Sequence, residues 1–416
     1  MTRHHGIAMA LAILTAGCGH RRAPLEAMLP PWFSPDATHP SVQRVFDEYR
    51  ETQPDFSLRF GPGKANLLLE KLLLMAKEGH LPDVIMFKTA WTKDLAARGI
   101  LKPLPMELAE AVRTNVMDVL LPVVQGDEYV WAVPYDMDVR LIHYRRDLVD
   151  STGLPPPRIG WTYEEFTALA RALTRDTNGD GAPDIWGFAA PGARSQSSVA
   201  QLLPWAWSLG AELSERTEWR VDQPALARAL GIYSTLRDSL GVAPPDLHVL
   251  EQADVYQGVV SGRFAMAEGG SWEIRMIRGA SIHADHLAQA VLPSIDGAEP
   301  VSCSDGWAFG LATADPERSA AVTPLLLALF SESHQLQKLH DHGWLPTLRQ
   351  GATWVEKELG VEVAWSLLRC RPVPGGEGWM RASAALVDAM QETLAGGIDP
   401  TVALKNAQDR LEMLNR

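Results

Sequence analysis

Two carboxylates stand two residues apart in WAVPYDMDVRLIHYRRDL, residues 131 to 148. On a strand, residues i and i+2 share a face, so Asp136 and Asp138 point the same way. Such a pair has three uses. It can supply the acid and base of a glycoside hydrolase, because same-face neighbours roughly 7 Å apart do not exclude an inverting geometry. It can accept hydrogen bonds from the hydroxyls of a bound sugar. It can simply decorate a strand edge. Arg140 continues the same face and keeps both carboxylates ionised, whereas a general acid needs a raised pKa, which weighs against the hydrolase.

A second acceptor beside a flat ring occurs in SCSDGWAF, where Asp305 precedes Trp307 by two residues. Tryptophan is the compositional signal, with 14 against 7 tyrosines and 10 phenylalanines. Sugar rings offer apolar C–H faces rimmed by hydroxyls, so their sites pair indole platforms with carboxylate or amide partners, and a charged acceptor strengthens the hydrogen bond. A polyamine would also be held by aromatic faces and carboxylates. Trp205 and Trp207 lie two apart on one helix and face different ways, so at most one meets a ligand. Nucleophile-elbow, HExxH and phosphate-loop patterns do not occur.

DTNGDGAPD, residues 176 to 184, sets Asp176, Asn178, Asp180 and Asp184 at positions 1, 3, 5 and 9 of a calcium loop, with Gly181 at the sixth. Position 12 is Gly187 where a bidentate glutamate belongs. The alternatives are a structural calcium and an Asx-stabilised turn. No other cofactor is expected.

The elements that position these groups alternate between helix and strand. Val42, Val45, Phe46 and Tyr49 repeat at three and four, Val84 to Phe87 form the continuous apolar run of a sheet buried on both faces, and Thr162 with Glu165 makes a capping box. Further helices are expected at 198–210, 223–240, 251–261, 316–341, 352–368, 378–396 and 399–415, with short strands at 264–267, 290–292 and 307–311. This is an α/β pattern with a largely parallel sheet, and 416 residues exceed a single growing core.

The net charge of −13 excludes nucleic acid as a natural partner. MTRHHGIAMALAILTAGC has a basic start, an apolar stretch and small residues before Cys18, the plan of an export signal too short to span a bilayer. Its Leu14–Cys18 end resembles a bacterial lipoprotein processing site, which would lipidate Cys18 and hold the chain at the cell envelope; the alternative is a plain secretory signal. Cys303 and Cys370 could pair in an oxidising compartment, but two buried thiols are the favoured expectation.

Several segments in order, PDVI, WTKDLAARGILKPL, YVWAVPYDMDVRLIHYRRDLVDSTGLPPPRIGWTYEEFTALARALTRDTNGDGAPDIWGF, SGRFAMAEGGSW and HGWLPT, resemble the extracellular solute-binding proteins of sugar ABC importers, the group containing maltose-binding protein. The resemblance implies a type II periplasmic-binding-protein-like fold with two α/β lobes joined by crossing strands. It implies a signal at 1–17, a tether at 18–30, a first lobe of 31–139 and 293–346, and a second of 140–292 and 347–416. Crossings are expected at 134–148, near 290–293 and near 346–351. Pro30 and Pro31 limit the first strand.

By position in the matching segments, Trp91, Asp136, Trp272, Trp307 and Trp379 are expected in the cleft, with Tyr135 at its mouth. Asp305, Trp32, Trp205 and Trp344 are further candidates. The implied function is that of a monomeric, lipid-anchored receptor that closes on a di- or oligosaccharide and presents it to an ABC permease, without catalysis.

Overall fold

A computed structural model describes residues 23–33, 40–53, 58–62, 67–215, 218–376 and 378–413. Cys18 and the expected export signal lie outside the described residues.

The strands, in chain order, are β1 (Leu25–Leu29), β2 (Leu58–Pro62), β3 (Val84–Lys88), β4 (Val133–Pro134), β5 (Arg140–Arg145), β6 (Ser214–Glu215), β7 (Glu218–Trp219), β8 (Met266–Gly270), β9 (Leu287–Ala290), β10 (Ser302–Ser304), β11 (Trp307–Leu311) and β12 (Cys370–Pro372). A five-stranded sheet runs β2-β1-β3-β11-β4, with β1 parallel to β2 and β3, and β11 antiparallel to β3 and β4. A three-stranded sheet runs β8-β5-β9 and is wholly antiparallel. The largely parallel arrangement expected from the helix-strand alternation therefore holds within the main sheets only for β1 to β3.

Each sheet has its own core. Leu25, Ile85, Phe87, Val133 and Phe309 belong to the first, and Ile142, Phe166, Phe188, Ala267 and Leu386 to the second. Val84 to Phe87 are all buried, as a strand covered on both faces requires. The capping box forms as expected: Glu165 N donates to Thr162 Oγ1 at 3.3 Å and Thr162 N to Glu165 Oε2 at 2.8 Å. Two long expected helices are broken. Ser331 ends Pro316–Phe330 and caps Glu332–His342, accepting from His334 N. Gly360, at φ 104°, separates Gly351–Leu359 from Val361–Leu368, a conformation that costs a residue with a Cβ.

The expected lobe boundaries need correction at three places. Residues 25–29 are no tether, because β1 pairs with both β2 and β3; it ends immediately before Pro30, the first residue with no ladder donor. Ile295 and Cys303 pack in the second core, so the second crossing falls between β10 and β11 rather than at 290–293. Val355, Leu359, Val363 and Leu367 pack in the first core, so the third crossing lies near β12 rather than at 346–351. Apolar periodicity tells that a helix is buried, and nothing in it says against which sheet.

β10 and β12 pair in parallel, with Ser302 opposite Cys370 and Cys303 opposite Arg371. Neighbouring register positions face opposite sides: Cys303 enters the second core and Cys370 the first, and both are free thiols. No helix among the described residues is long and apolar enough to cross a membrane.

Candidate functional site

The segments joining the two sheets are held together by side chains. Trp307 N donates to Asp136 Oδ1 at 2.7 Å, Asp305 N to Asp138 Oδ1 at 2.8 Å, and Arg140 N to Ser302 Oγ at 2.8 Å. The two crossings run antiparallel and close together, with Tyr135 N donating to the Trp307 carbonyl at 2.8 Å, and short polar side chains extend the contact beyond that bond. Gly306 is needed here, since a Cβ on it would lie 2.0 Å from the Asp136 carbonyl oxygen. The opening aspartates are thus structural staples with their carboxylates buried, at 8% and 7% exposure.

Burial raises the Asp136 carboxyl to about 6, a shift that Lys338 and the Trp307 N–H oppose. Lys338, itself buried, donates to the Tyr135 carbonyl and lies 4.3 Å from the Tyr135 ring centroid. Burial lowers its ammonium to about 7 while Asp136 pulls it back up.

Alongside these staples runs a continuous row of rings and charges. In the first lobe, Trp32 lies 5.2 Å from Trp344 and 5.3 Å from Trp307, all three half-buried. Lys88, at the end of β3, sits 4.7 Å from the Trp307 ring and 3.4 Å from Asp305 Oδ2, and donates to the Asp305 carbonyl at 2.6 Å. Asp305 leads through its N–H to Asp138, which accepts from Arg140 Nη1 at 2.8 Å. The Arg140 guanidinium then lies 4.8 Å from the Trp272 ring in the second lobe. That indole folds back over the end of β8, where a Cβ at Gly270 would lie 1.8 Å from it. Asp305 Oδ1, Arg140 Nε and Ser304 Oγ are buried along this row without a hydrogen bond in the protein. A hydroxyl can satisfy an acceptor, a donor or a second hydroxyl.

Trp91 follows β3 on a short helical turn and is half-buried against both cores. Trp32, Trp91, Trp272, Trp307, Trp344 and Asp305 therefore gather along the junction. Three expected ligand residues do not. Trp379 is 2% exposed in the second core, 5.2 Å from Trp219. Trp205 is 1% exposed and donates its indole N–H to Glu268. Tyr135 lies in the first core, not at a cleft mouth, with its hydroxyl 3.2 Å from His334 Nε2. Asp136 is next to the row, but its Oδ1 is committed to the Trp307 N–H. The apolar surround of Trp205 and the helix start at Trp379 were equally consistent with core and rim.

Two groups were not among the expected ligand residues. Lys88 and Arg140 occupy the faces of Trp307 and Trp272; for Arg140 the one sequence signal is a base two residues from Asp138. A cavity of about 210 Å³ is lined by Asp94, Ala97 and Arg98 from the first lobe and by Gly378, Met380 and Arg381 from the second.

The Asp176–Asp184 loop lies away from the row. Asp176 accepts from Gly179 N and Gly181 N, and Asp184 from the N–H and hydroxyl of Thr177 and the N–H and amide of Asn178. Asn178 and Asp180 accept in turn from Asp180 N and Ala182 N. These turns satisfy the oxygens internally, and no cluster of three acidic, histidine or cysteine residues fit for a metal occurs among the described residues.

The family of bacterial extracellular solute-binding proteins matches residues 44–356. The fold is similar to that of maltose-bound MalE3 from T. maritima, with a TM-score of 0.81 at 19% identity over 94% of this chain and 99% of that one. It is similar to the maltose/maltodextrin-binding domain MalE of Bdellovibrio bacteriovorus bound to maltotriose, with a TM-score of 0.78 at 18% identity, covering 95% and 100%. An ABC transporter solute-binding protein of Agrobacterium radiobacter K84 in complex with ribitol matches with a TM-score of 0.74 at 19% identity, covering 94% and 99%. The two sheets are the two lobes of a periplasmic binding protein fold.

Proposed function

The chain belongs to the bacterial extracellular solute-binding proteins, binding proteins rather than enzymes, and from that premise we propose that it captures a sugar or polyol between its lobes and delivers it to an ABC permease. The observation that carries this reading is the row from Trp344 through Trp32, Trp307, Lys88, Asp305, Asp138 and Arg140 to Trp272, which spans both lobes with alternating platforms and hydrogen-bonding groups. Proteins of the same fold are described with maltose, maltotriose and ribitol bound, which supports a polyhydroxylated ligand. Three neighbouring indoles on the first lobe favour more than one ring.

Contacts from both lobes bind the closed form better than the open one, and that differential affinity drives closure. The closed chain is the form presented to the permease. Export, lipidation at Cys18 and a place at the envelope complete the proposal, carried by the sequence of the first 18 residues, and the receptor is proposed to act as a monomer.

A polyamine is the weaker reading, because Lys88 and Arg140 already place cations over Trp307 and Trp272. The discriminating experiment is a thermal-shift panel of sugars, polyols and polyamines on the Cys18→Ser chain. Ligand at about 100 times its Kd adds about 2.7 kcal/mol; sugar or polyol hits support the proposal. A spermidine hit with no carbohydrate response would replace it.

A further inference from the structure

Resting on the carbohydrate reading, we infer that the ligand carries a carboxylate, as a uronic acid or its oligomer does, and that Arg98 and Arg381 clamp it from opposite lobes. The 210 Å³ cavity lies where the lobes meet: its first wall is the helix Thr92–Ala97 with Arg98 at its end, and its second is the start of the helix Trp379–Leu394. It adjoins the aromatic row, because the segment at Gly375 packs on the turn that carries Trp91, so closely that a Cβ there would lie 2.9 Å from the Ala90 carbonyl oxygen.

Arg98 and Arg381 are both exposed, and neither has an ion-pair partner among the described residues. In a chain of net charge −13, other arginines such as Arg145, Arg318 and Arg371 are held by carboxylates. Among the described residues the one carboxylate in the lining, Asp94, is 3% exposed. The first turn of the helix at Trp379 has no side-chain cap, so its dipole adds positive potential in the same direction.

A guanidinium fork matches a carboxylate in two parallel hydrogen bonds. With one fork per lobe, an anion gains its second partner only on closure, so the charge is read as closure as well as affinity. A neutral sugar would leave both forks in water.

The test is calorimetric titration with uronic acids and uronate disaccharides beside their neutral counterparts, on the wild type, Arg98→Ala, Arg381→Ala and the double variant. Both residues are exposed, so folding is preserved, which melting curves check. The expected result is an acidic ligand bound at least about tenfold more tightly than its neutral counterpart at low salt, an advantage that shrinks with salt and disappears in the double variant. Equal binding of acidic and neutral sugars, or an acid preference that survives the double substitution, overturns the clamp and leaves the carbohydrate reading standing. If no acidic or neutral sugar binds, both fall together.

Discussion

Asp138 and Arg140, two residues apart on the first crossing, form an ion pair at 2.8 Å with side chains only 10% and 4% exposed. The same Asp138 oxygen accepts from Asp305 N on the second crossing. Removing the carboxylate leaves a buried guanidinium uncompensated and unstitches the crossings. Asp138→Ala is therefore expected to cost about 3–5 kcal/mol, read as a lower urea midpoint. An unchanged midpoint would contradict the stapling role.

The tryptophans divide by burial. Trp379→Ala, in the second core, should lower stability by about 3–5 kcal/mol. Trp307→Ala and Trp272→Ala, at half-buried positions on the row, should weaken sugar binding while moving the melting temperature little. Denaturation and titration of the same three variants separate the two classes. Weakened binding with intact stability in Trp379→Ala would reverse the assignment.

Glu268 gives the fold a pH dependence. It is 1% exposed, accepts from Trp205 and from the Tyr233 hydroxyl at 2.8 Å, and burial pushes its carboxyl up to about 8 from the ordinary 4.5. Between those values the folded state binds the proton that the unfolded state releases. Stability must then fall as pH rises through this window, by a few kcal/mol in order of magnitude. Glu268→Gln keeps the shape without the charge and should flatten the decline. A wild-type stability that rises steadily between pH 5 and pH 8 would be the wrong sign for this group.

The thiols should be inert. Burial pushes Cys370 up to about 12 and Cys303 well above its ordinary value, and a thiol held protonated reacts slowly. In the Cys18→Ser chain, a thiol reagent without reductant should find almost nothing in the native protein and two equivalents after unfolding. No equivalent after unfolding would mean the strands had bonded across β10 and β12.

Calcium should be dispensable for folding. The Asp176 and Asp184 carboxylates already accept from donors of their own loop, so a chelator should leave the melting temperature where it was. A marked drop on chelation would show that the loop is held by an ion.

The elements were largely legible from the chain. Continuous apolar runs named β3 and the start of β8, proline marked the end of β1, and Thr162 with Glu165 marked a helix start, since capping and strand burial depend on neighbours a few residues away. The breaks at Ser331 and Gly360 were legible in kind, because serine caps and glycine adopts positive φ, yet the flanking periodicity masked them.

The site was legible in composition only. Fourteen tryptophans and paired carboxylates pointed to a sugar-type surface, and the ordered motifs to two lobes. Which indoles reach the junction, and that Asp136 and Asp138 staple crossings 171 and 167 residues apart in sequence rather than point freely into a cleft, came from tertiary structure. A tryptophan has the same intrinsic preference for a core as for a ligand platform, because both offer apolar contact. Only the placement of the opposing chain decides what that contact is.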